Sequence, residues 1–410
     1  MSCTVAILVT LDTKGEEAYY VKEYIEEHGH KALVIDCGTL LPPAFEPDIN
    51  REEIKLAAGA GDVSSFEDEG QAVETMTRGA SIVTRRLCHE GKIDGIIAIG
   101  GSMGTSLALP VLKGLPFGIP RLVVSTIAFS GYVTSEALSV ETVMMQSPAD
   151  MWGLNSIIRM TLANAAAAIT GMAEVYNERF KNGWQSAKTL IGMTTLGTAL
   201  CTFVPYLKSS LEARGYELAV FHAPGMGTMG VRAVAELIQE GHIKGLLDMV
   251  QLDLLDGLCK GYGQGEEGRI DVAAKKGIPL VIAPGSLHSI SWDGPASTVP
   301  EKWRDRIIHQ HNSLITAVGA THDELAMAAR VIAEKASKAQ GPVAIVLPRQ
   351  GFSEWDKPGG YFHDPKAKLL VTQEIKKTAK PNVSVIEVDA NINDTAFTDA
   401  VLDIFNTMMK

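Results

Sequence analysis

The chain is poor in cysteine: its 410 residues hold five, Cys3, Cys37, Cys88, Cys201 and Cys259, with no CxxC pair among them. An odd, scattered set of this kind argues against a disulfide framework or a structural zinc site and favours a reducing compartment. Of the five, Cys201 stands beside an expected loop, where a buried and inert role is the expected one. Basic excess is also missing. The formal net charge is −11, which disfavours broad attraction to nucleic acid or an anionic membrane surface. No apolar run approaches the roughly 20 residues that span a bilayer. The first residues run directly into an apolar segment, without the basic stretch and small-residue cleavage site of an export signal, so the expected location is cytoplasmic. The Lys-Ser/Thr ending of a Walker A loop is absent as well, and the glycine-rich loop at Gly100–Thr105 does not have the dinucleotide GxGxxG spacing.

What is present is alternation. Short β-rich apolar runs at residues 5–9, 32–36, 95–99 and 122–125 are separated by helical patterns such as residues 15–27. The second half continues with runs at 190–193, 218–221, 246–248, 279–283, 314–317, 343–347 and 383–388. Strands apolar on both faces belong in parallel sheets covered by helices on both sides. The expected fold class is therefore α/β, with two Rossmann-like doubly wound parallel-sheet subdomains flanking a cleft. The halves also repeat one another. An apolar strand closing on Thr10-Leu-Asp12-Thr13-Lys14-Gly15 is matched by one closing on Thr194-Thr195-Leu-Gly197-Thr198, and Gly91-Lys-Ile-Asp-Gly95 by Gly241-His-Ile-Lys-Gly245. The spacing between the matches is longer in the first half, which places an insertion, a flap or a subunit contact, at about residues 40–70. The subdomains are expected at 1–180 and 186–410, joined by a hinge near Asn182-Gly-Trp-Gln-Ser after a long Ala-rich helix suited to packing within the chain or across a dimer.

Several strand ends carry ligand chemistry. Gly100-Gly101-Ser102-Met103-Gly104-Thr105 follows a strand and opens a helix; glycines admit a ligand to the backbone, and the leading amides favour an anion. The alternative is a tight turn with capping hydroxyls. Thr10, Asp12, Thr13 and Lys14 form a second loop suited to phosphate or magnesium, or to an ordinary helix cap. Thr194 and Thr195, uncharged, would donate hydrogen bonds. His222, before Gly225 and Gly227, is a candidate acid or base or a structural hydrogen-bonder. Asp253 and Asp256 share a helical face, open to ribose, metal or capping. Pro284-Gly285-Ser286-Leu-His288 resembles a further rim loop, and the late stretch with Ser353, Asp356 and Asp364 is polar and loop-like. His309 and His311 suit a metal on an extended segment, yet no third ligand accompanies them, so no metal site is expected.

Together these motifs make the chain similar, along nearly its whole length, to the UPF0261 family, described as Tm-1-like ATP-binding domain proteins. The resemblance lies in residues 10–16 (TLDTKGE), Gly100–Thr105 as GGSMGT, Val124-Ser125-Thr126 at a strand end, His311-Asn312, and the Gly-x-Ser to Asp-Pro stretch at 351–365. It implies two Rossmann-like subdomains, a homodimer, and ATP or a related nucleotide, alone or with Mg2+, as ligand. On this reading Asp12, His222 and Asp253 are the catalytic candidates. Thr10, Thr13, Lys14, Gly100, Gly101, Ser102, Gly104, Thr105, Thr126, Thr194, Thr195, Gly225, Gly227, Gly285 and Ser353 would hold the phosphate ligand. The expected activity is an enzyme acting on a small acid or sugar-derived metabolite in the cleft. The alternative is a non-catalytic regulator that binds a protein partner, as Tm-1 does. Four residues depart from the family pattern: Met103 replaces a further glycine, His288 an acidic residue, Ser313 a proline and Lys260 a frequent glycine.

Overall fold

A computed structural model describes residues 2–60, 68–181, 188–196, 202–223, 229–261 and 268–410. The chain divides into two compact units, Met1–Gln185 and Ser186–Lys410.

Unit 1 alternates strands and helices: β1 (Thr4–Val9), α1 (Gly15–Glu27), β2 (Lys31–Asp36), α2 (Arg51–Ala57), α3 (Glu69–His89), β3 (Gly95–Gly100), α4 (Ser102–Lys113), β4 (Arg121–Ser125), β5 (Thr142–Gln146) and α5 (Ser156–Arg179). The strands form one sheet in the order β2-β1-β3-β4-β5, every pair parallel. The alternating pleat of β1 explains why its sequence is apolar throughout. Val5, Ile7 and Val9 join a core with residues of α1 and α5, while Ala6 and Leu8 join a second core with residues of α3 and α4. Both faces are thus buried, and each fully covered Ile or Leu contributes about 1.5–3 kcal/mol.

Within its described residues, the insertion is partly packed against the rest of unit 1. Ile35 and Ile49 form a parallel bridge, Asn50 caps α2, and Ile54 is fully buried. A Cβ on Gly79 of α3 would lie 2.0 Å from the Ile54 carbonyl oxygen, so only glycine lets α2 pack there. Leu40 and Leu41, just before, remain exposed.

Unit 2 contains β6 (Thr189–Thr195), α6 (Val204–Glu212), β7 (Tyr216–His222), α7 (Met229–Gln239), β8 (Ile243–Asp248), α8 (Leu252–Cys259), α9 (Arg269–Lys276) and β9 (Leu280–Ile282). It continues with β10 (Ser289–Asp293), β11 (Ile308–Gln310), β12 (Ile315–Gly319), α10 (His322–Ala336), β13 (Val343–Pro348), α11 (Pro365–Thr378), β14 (Val383–Val388) and α12 (Thr395–Met408). Its main sheet runs β14-β13-β9-β8-β6-β7, all parallel. When the strands of each unit's main parallel sheet alone are numbered in chain order, both sheets begin in the order 2-1-3-4-5. The repeat seen in the sequence is therefore a repeat of topology, and both units are Rossmann-like.

One strand departs from expectation. The run at 314–317 does not extend the parallel sheet; it belongs to β12, which pairs antiparallel with β10 and β11 in a separate small sheet. Asn312 decides this. Its carboxamide oxygen accepts from the amides of Leu314 and Ile315, and the His311 and Asn312 amides donate to the Ile315 carbonyl, so the chain reverses in a tight hairpin. Among the described residues no helix is long and apolar enough to cross a membrane.

Candidate functional site

A 2-1-3-4-5 sheet reverses direction of winding between its first and third strands. The loops leaving those strands diverge, and ligands of open α/β sheets bind in the crevice left at their carboxyl ends. In unit 1 the switch point lies between β1 and β3, so the loops it brings together are Thr10–Lys14 and Gly100–Ser102.

The β3–α4 turn is shaped by close approach. A Cβ on Gly100 would fall 2.7 Å from Gly104 Cα, so the helix sits on the strand end only because residue 100 is glycine. Gly101 is the N-cap of α4, has extended backbone and supplies no capping side chain; the first turn carries no acidic residue. A Cβ at Gly101 would meet only Thr126 Oγ1, at 3.7 Å, so the position borders open space. Ser102 is exposed. The leading amides of a helix of 12 residues thus face outward uncompensated, an arrangement that favours an anion. Thr105 plays another part. It is buried, and its hydroxyl pairs with Ser125 Oγ at 2.6 Å, tying α4 to the end of β4.

Across the switch point, the Thr13 and Lys14 amides donate to the Thr10 carbonyl, and the Thr10 and Thr13 hydroxyls lie 2.9 Å apart. Lys14 caps α1 without a side-chain bond; its ammonium donates to the Thr13 carbonyl at 3.2 Å and lies 5.8 Å from the Trp152 ring centroid. Asp12 turns the other way. Its Oδ2 accepts from the amides of Thr39, Leu40 and Leu41 at 2.9, 2.7 and 3.3 Å, which clamps the chain leaving β2. Its buried Oδ1 has no hydrogen-bond partner. Fully buried Asp36 completes the clamp by accepting from the Leu11 and Gly38 amides and pairing with Arg51 at 3.0 Å.

Unit 2 has the same switch point, between β6 and β8, built from different residues. Thr194 and Asp248 are fully buried, and the Thr194 hydroxyl donates to Asp248 Oδ1 at 2.8 Å while accepting from the Met249 and Val250 amides. Arg269, 2% exposed, donates through Nε to Asp248 at 2.6 Å and through its two terminal nitrogens to Asp253 at 2.6 and 3.1 Å. Burial raises the Asp248 carboxyl above its usual range, opposed by Arg269. Asp253, a candidate for metal or proton chemistry, is therefore the bidentate partner of a buried guanidinium. Thr195 is nearly buried next to this network. His222 ends edge strand β7 and is exposed, away from the reversal between β6 and β8. Gly225, Gly227 and the residues 197–201 lie outside the described residues.

The structure also joins two loops that the sequence keeps 65 residues apart. His288 Nε2 lies 2.7 Å from Ser353 Oγ, and the Trp355 amide donates to that same hydroxyl oxygen. His288 is stacked on Phe362, and desolvation lowers its imidazole to about 4, so it is neutral at pH 7. Ser353 is fully buried, and the Phe352 and Ser353 amides are both taken by Asp356. They cannot serve as an oxyanion hole, and the pair is a structural link between the ends of β9 and β13. Gly285 receives the Gln251 amide through its carbonyl, and Ser286 beside it holds a left-handed backbone, φ 58°. Lys260 is left-handed too, at the C-cap of α8, which explains why glycine suits that position. His309 stacks on Tyr361, and no group of three or more His, Cys, Asp or Glu among the described residues could hold a metal ion.

Comparison with known proteins agrees with this two-unit architecture. Residues 3–178 match the model of the "Uncharacterised protein family (UPF0261) N-terminal domain" and residues 188–409 that of its C-terminal domain. A UPF0261 protein of Clostridium tetani is 35% identical over 413 residues, covering 100% of both chains. The ToMV susceptible protein tm-1(GCR26) of Solanum lycopersicum is 35% identical over 86% of this chain and 46% of its own length. A UDP-GlcNAc 2-epimerase structure from Neisseria meningitidis aligns at 9% identity over 68% of this chain and 82% of its own, with a TM-score of 0.23, too low to inform function. Matched over both units by the family models and over its full length by a relative, the chain belongs to the UPF0261 family.

Proposed function

We propose that the carboxyl edge of unit 1's sheet, at the β1/β3 switch point, binds the phosphates of ATP or a related nucleotide. One observation carries the reading: α4 begins there at Gly101 with no side chain capping its leading amides and no acidic residue in its first turn. The residues fit a phosphate. The α4 amides and the Ser102 hydroxyl would donate, and Lys14 would neutralise charge from the loop after β1. Thr105 and Thr126 would shape the floor rather than grip the ligand, since the Thr105 hydroxyl is bonded to Ser125. Asp12 and Asp253 are held by amides and by Arg269 respectively, so the reading is one of binding and assigns neither a proton-transfer role. The test is calorimetry of the full chain with ATP, ADP and inorganic tripolyphosphate, with and without Mg2+. Saturable heat that disappears in Gly101→Asp is expected; no heat at millimolar ligand would overturn the reading.

A second reading, a surface for a protein partner, is favoured by the turn held by Asp12. Leu40 and Leu41 are 67% and 60% exposed there, yet Asp12 fixes the amides of both. A second copy of the chain is the simplest partner. Sedimentation velocity would then show an assembly lost in the Leu40→Ser/Leu41→Ser variant; equal sedimentation of variant and wild type would remove this reading.

A further inference from the structure

Among the described residues Trp152 is the most exposed large hydrophobic side chain, 86% accessible, and its position is not that of a loose loop. The residue before it, Met151, is fully buried in the unit 1 core. The residue after it, Gly153, donates its amide to Glu17 Oε1 at 3.0 Å, and Glu17 is itself 2% exposed in the first turn of α1. Gly153 holds φ 76°, a conformation glycine adopts without strain. The backbone is thus anchored on both sides of an indole left in water. The anchor point is the helix that the Thr10–Lys14 loop opens, and the Lys14 ammonium lies 5.8 Å from the indole centroid. Trp152 follows β5 in the chain and therefore rises from the same carboxyl edge as Gly101.

An aromatic of this size gains by burial, and a fixed backbone lets a flat partner cover it at little ordering cost. Beside a lysine and a helix start suited to phosphate, the covering group with matching chemistry is a flat ring attached to that phosphate. We infer that Trp152 is the stacking wall for the ring of the proposed nucleotide, so that this chain grips the base as well as the phosphates. This inference rests on the phosphate site proposed above and adds its second subsite. Lys14 then serves both ends, as counter-charge to phosphate and as the cation beside the indole.

The experiment separates the two subsites. ATP and inorganic tripolyphosphate are titrated calorimetrically into wild type, Trp152→Ala and Trp152→Phe. ATP should bind wild type more tightly than tripolyphosphate. Trp152→Ala should weaken ATP roughly ten-fold while leaving tripolyphosphate unchanged, and Trp152→Phe should recover most of the loss. Because the indole is exposed, the variants should unfold at the wild-type urea midpoint. Equal affinity of wild type for the two ligands, or unchanged ATP affinity in Trp152→Ala, overturns the stacking role and leaves the phosphate site standing. Failure of both ligands to bind overturns the phosphate site and the inference together.

Discussion

The two units present the same strand order but opposite chemistry at the same place. At the reversal in unit 1, Gly101 leaves the leading amides of α4 without a capping side chain and Thr10 is partly exposed. At the reversal in unit 2, Asp248 ends the third strand of the order, Thr194 is fully buried beneath it, and Arg269 fills the space between Asp248 and Asp253. Among the described residues, the same architecture carries an uncapped helix start in one unit and a buried ion network in the other. Topology alone names two candidate sites; side-chain chemistry among the described residues sets them apart.

That contrast can be broken where it is strongest. Arg269→Met should destabilise unit 2 by about 3–5 kcal/mol, because it strands Asp248 in a buried environment without its partner. Urea unfolding followed by circular dichroism measures the loss, and a change under 1 kcal/mol would show the network to be loosely held.

The matched threonines sharpen it further. Thr194→Val leaves the Met249 and Val250 amides and Asp248 Oδ1 without their shared partner, so about 1–3 kcal/mol should be lost. Thr10→Val breaks only a contact with exposed Thr13 and should stay within about 0.5 kcal/mol of wild type. Equal midpoints for the two variants would erase the distinction drawn between the units.

Unit 2 should also carry an acid-sensitive contribution to stability. The His288 imidazole is lowered to about 4 by burial, below its unfolded value near 6.5. In acid the unfolded chain takes up this proton before the folded chain does. The contribution of neutral His288 is therefore complete above about pH 6.5 and falls away as the pH drops toward 4, by about 2 kcal/mol at pH 4.5. His288→Gln should flatten that part of the urea-midpoint profile between pH 7 and 4.5; an unchanged slope would place the titration elsewhere.

The smallest effect on stability falls at Gly101. Asp at this extended N-cap would accept from the α4 amides, but glycine is itself a tolerated N-cap, so the gain in stability should be only about 0.3 kcal/mol. The same carboxylate would occupy the place proposed for phosphate, so the gain in stability should accompany a loss of ligand.

Much of the fold was legible because burial on both faces of a parallel strand writes an uninterrupted apolar run, as in β1, β3 and β4. β5 escaped notice because Thr142–Gln146 is a half-exposed edge strand, with neither a full apolar run nor a clean alternation. The run at 314–317 was legible as a strand but not as an antiparallel one, since direction is set by the Asn312 turn and by pairing with β10. The site was legible only in part. Gly100–Thr105 announces a strand-to-helix turn, but the capless state of Gly101 depends on what surrounds it in space. Asp12 looked free for chemistry because its partners, the amides of residues 39–41, lie nearly thirty positions away. Asp253 and Arg269 are a similar case, and so are His288 and Ser353, whose contact depends on how the ends of β9 and β13 converge.

The most direct test is a calorimetric titration of ATP into the full-length chain and its Gly101→Asp variant under identical salt and pH. Wild type should show saturable binding, and the variant, folded and slightly more stable, should bind at least ten-fold more weakly. Identical isotherms for the two proteins, or no binding to wild type at millimolar ATP, would contradict a phosphate site at the open edge of unit 1.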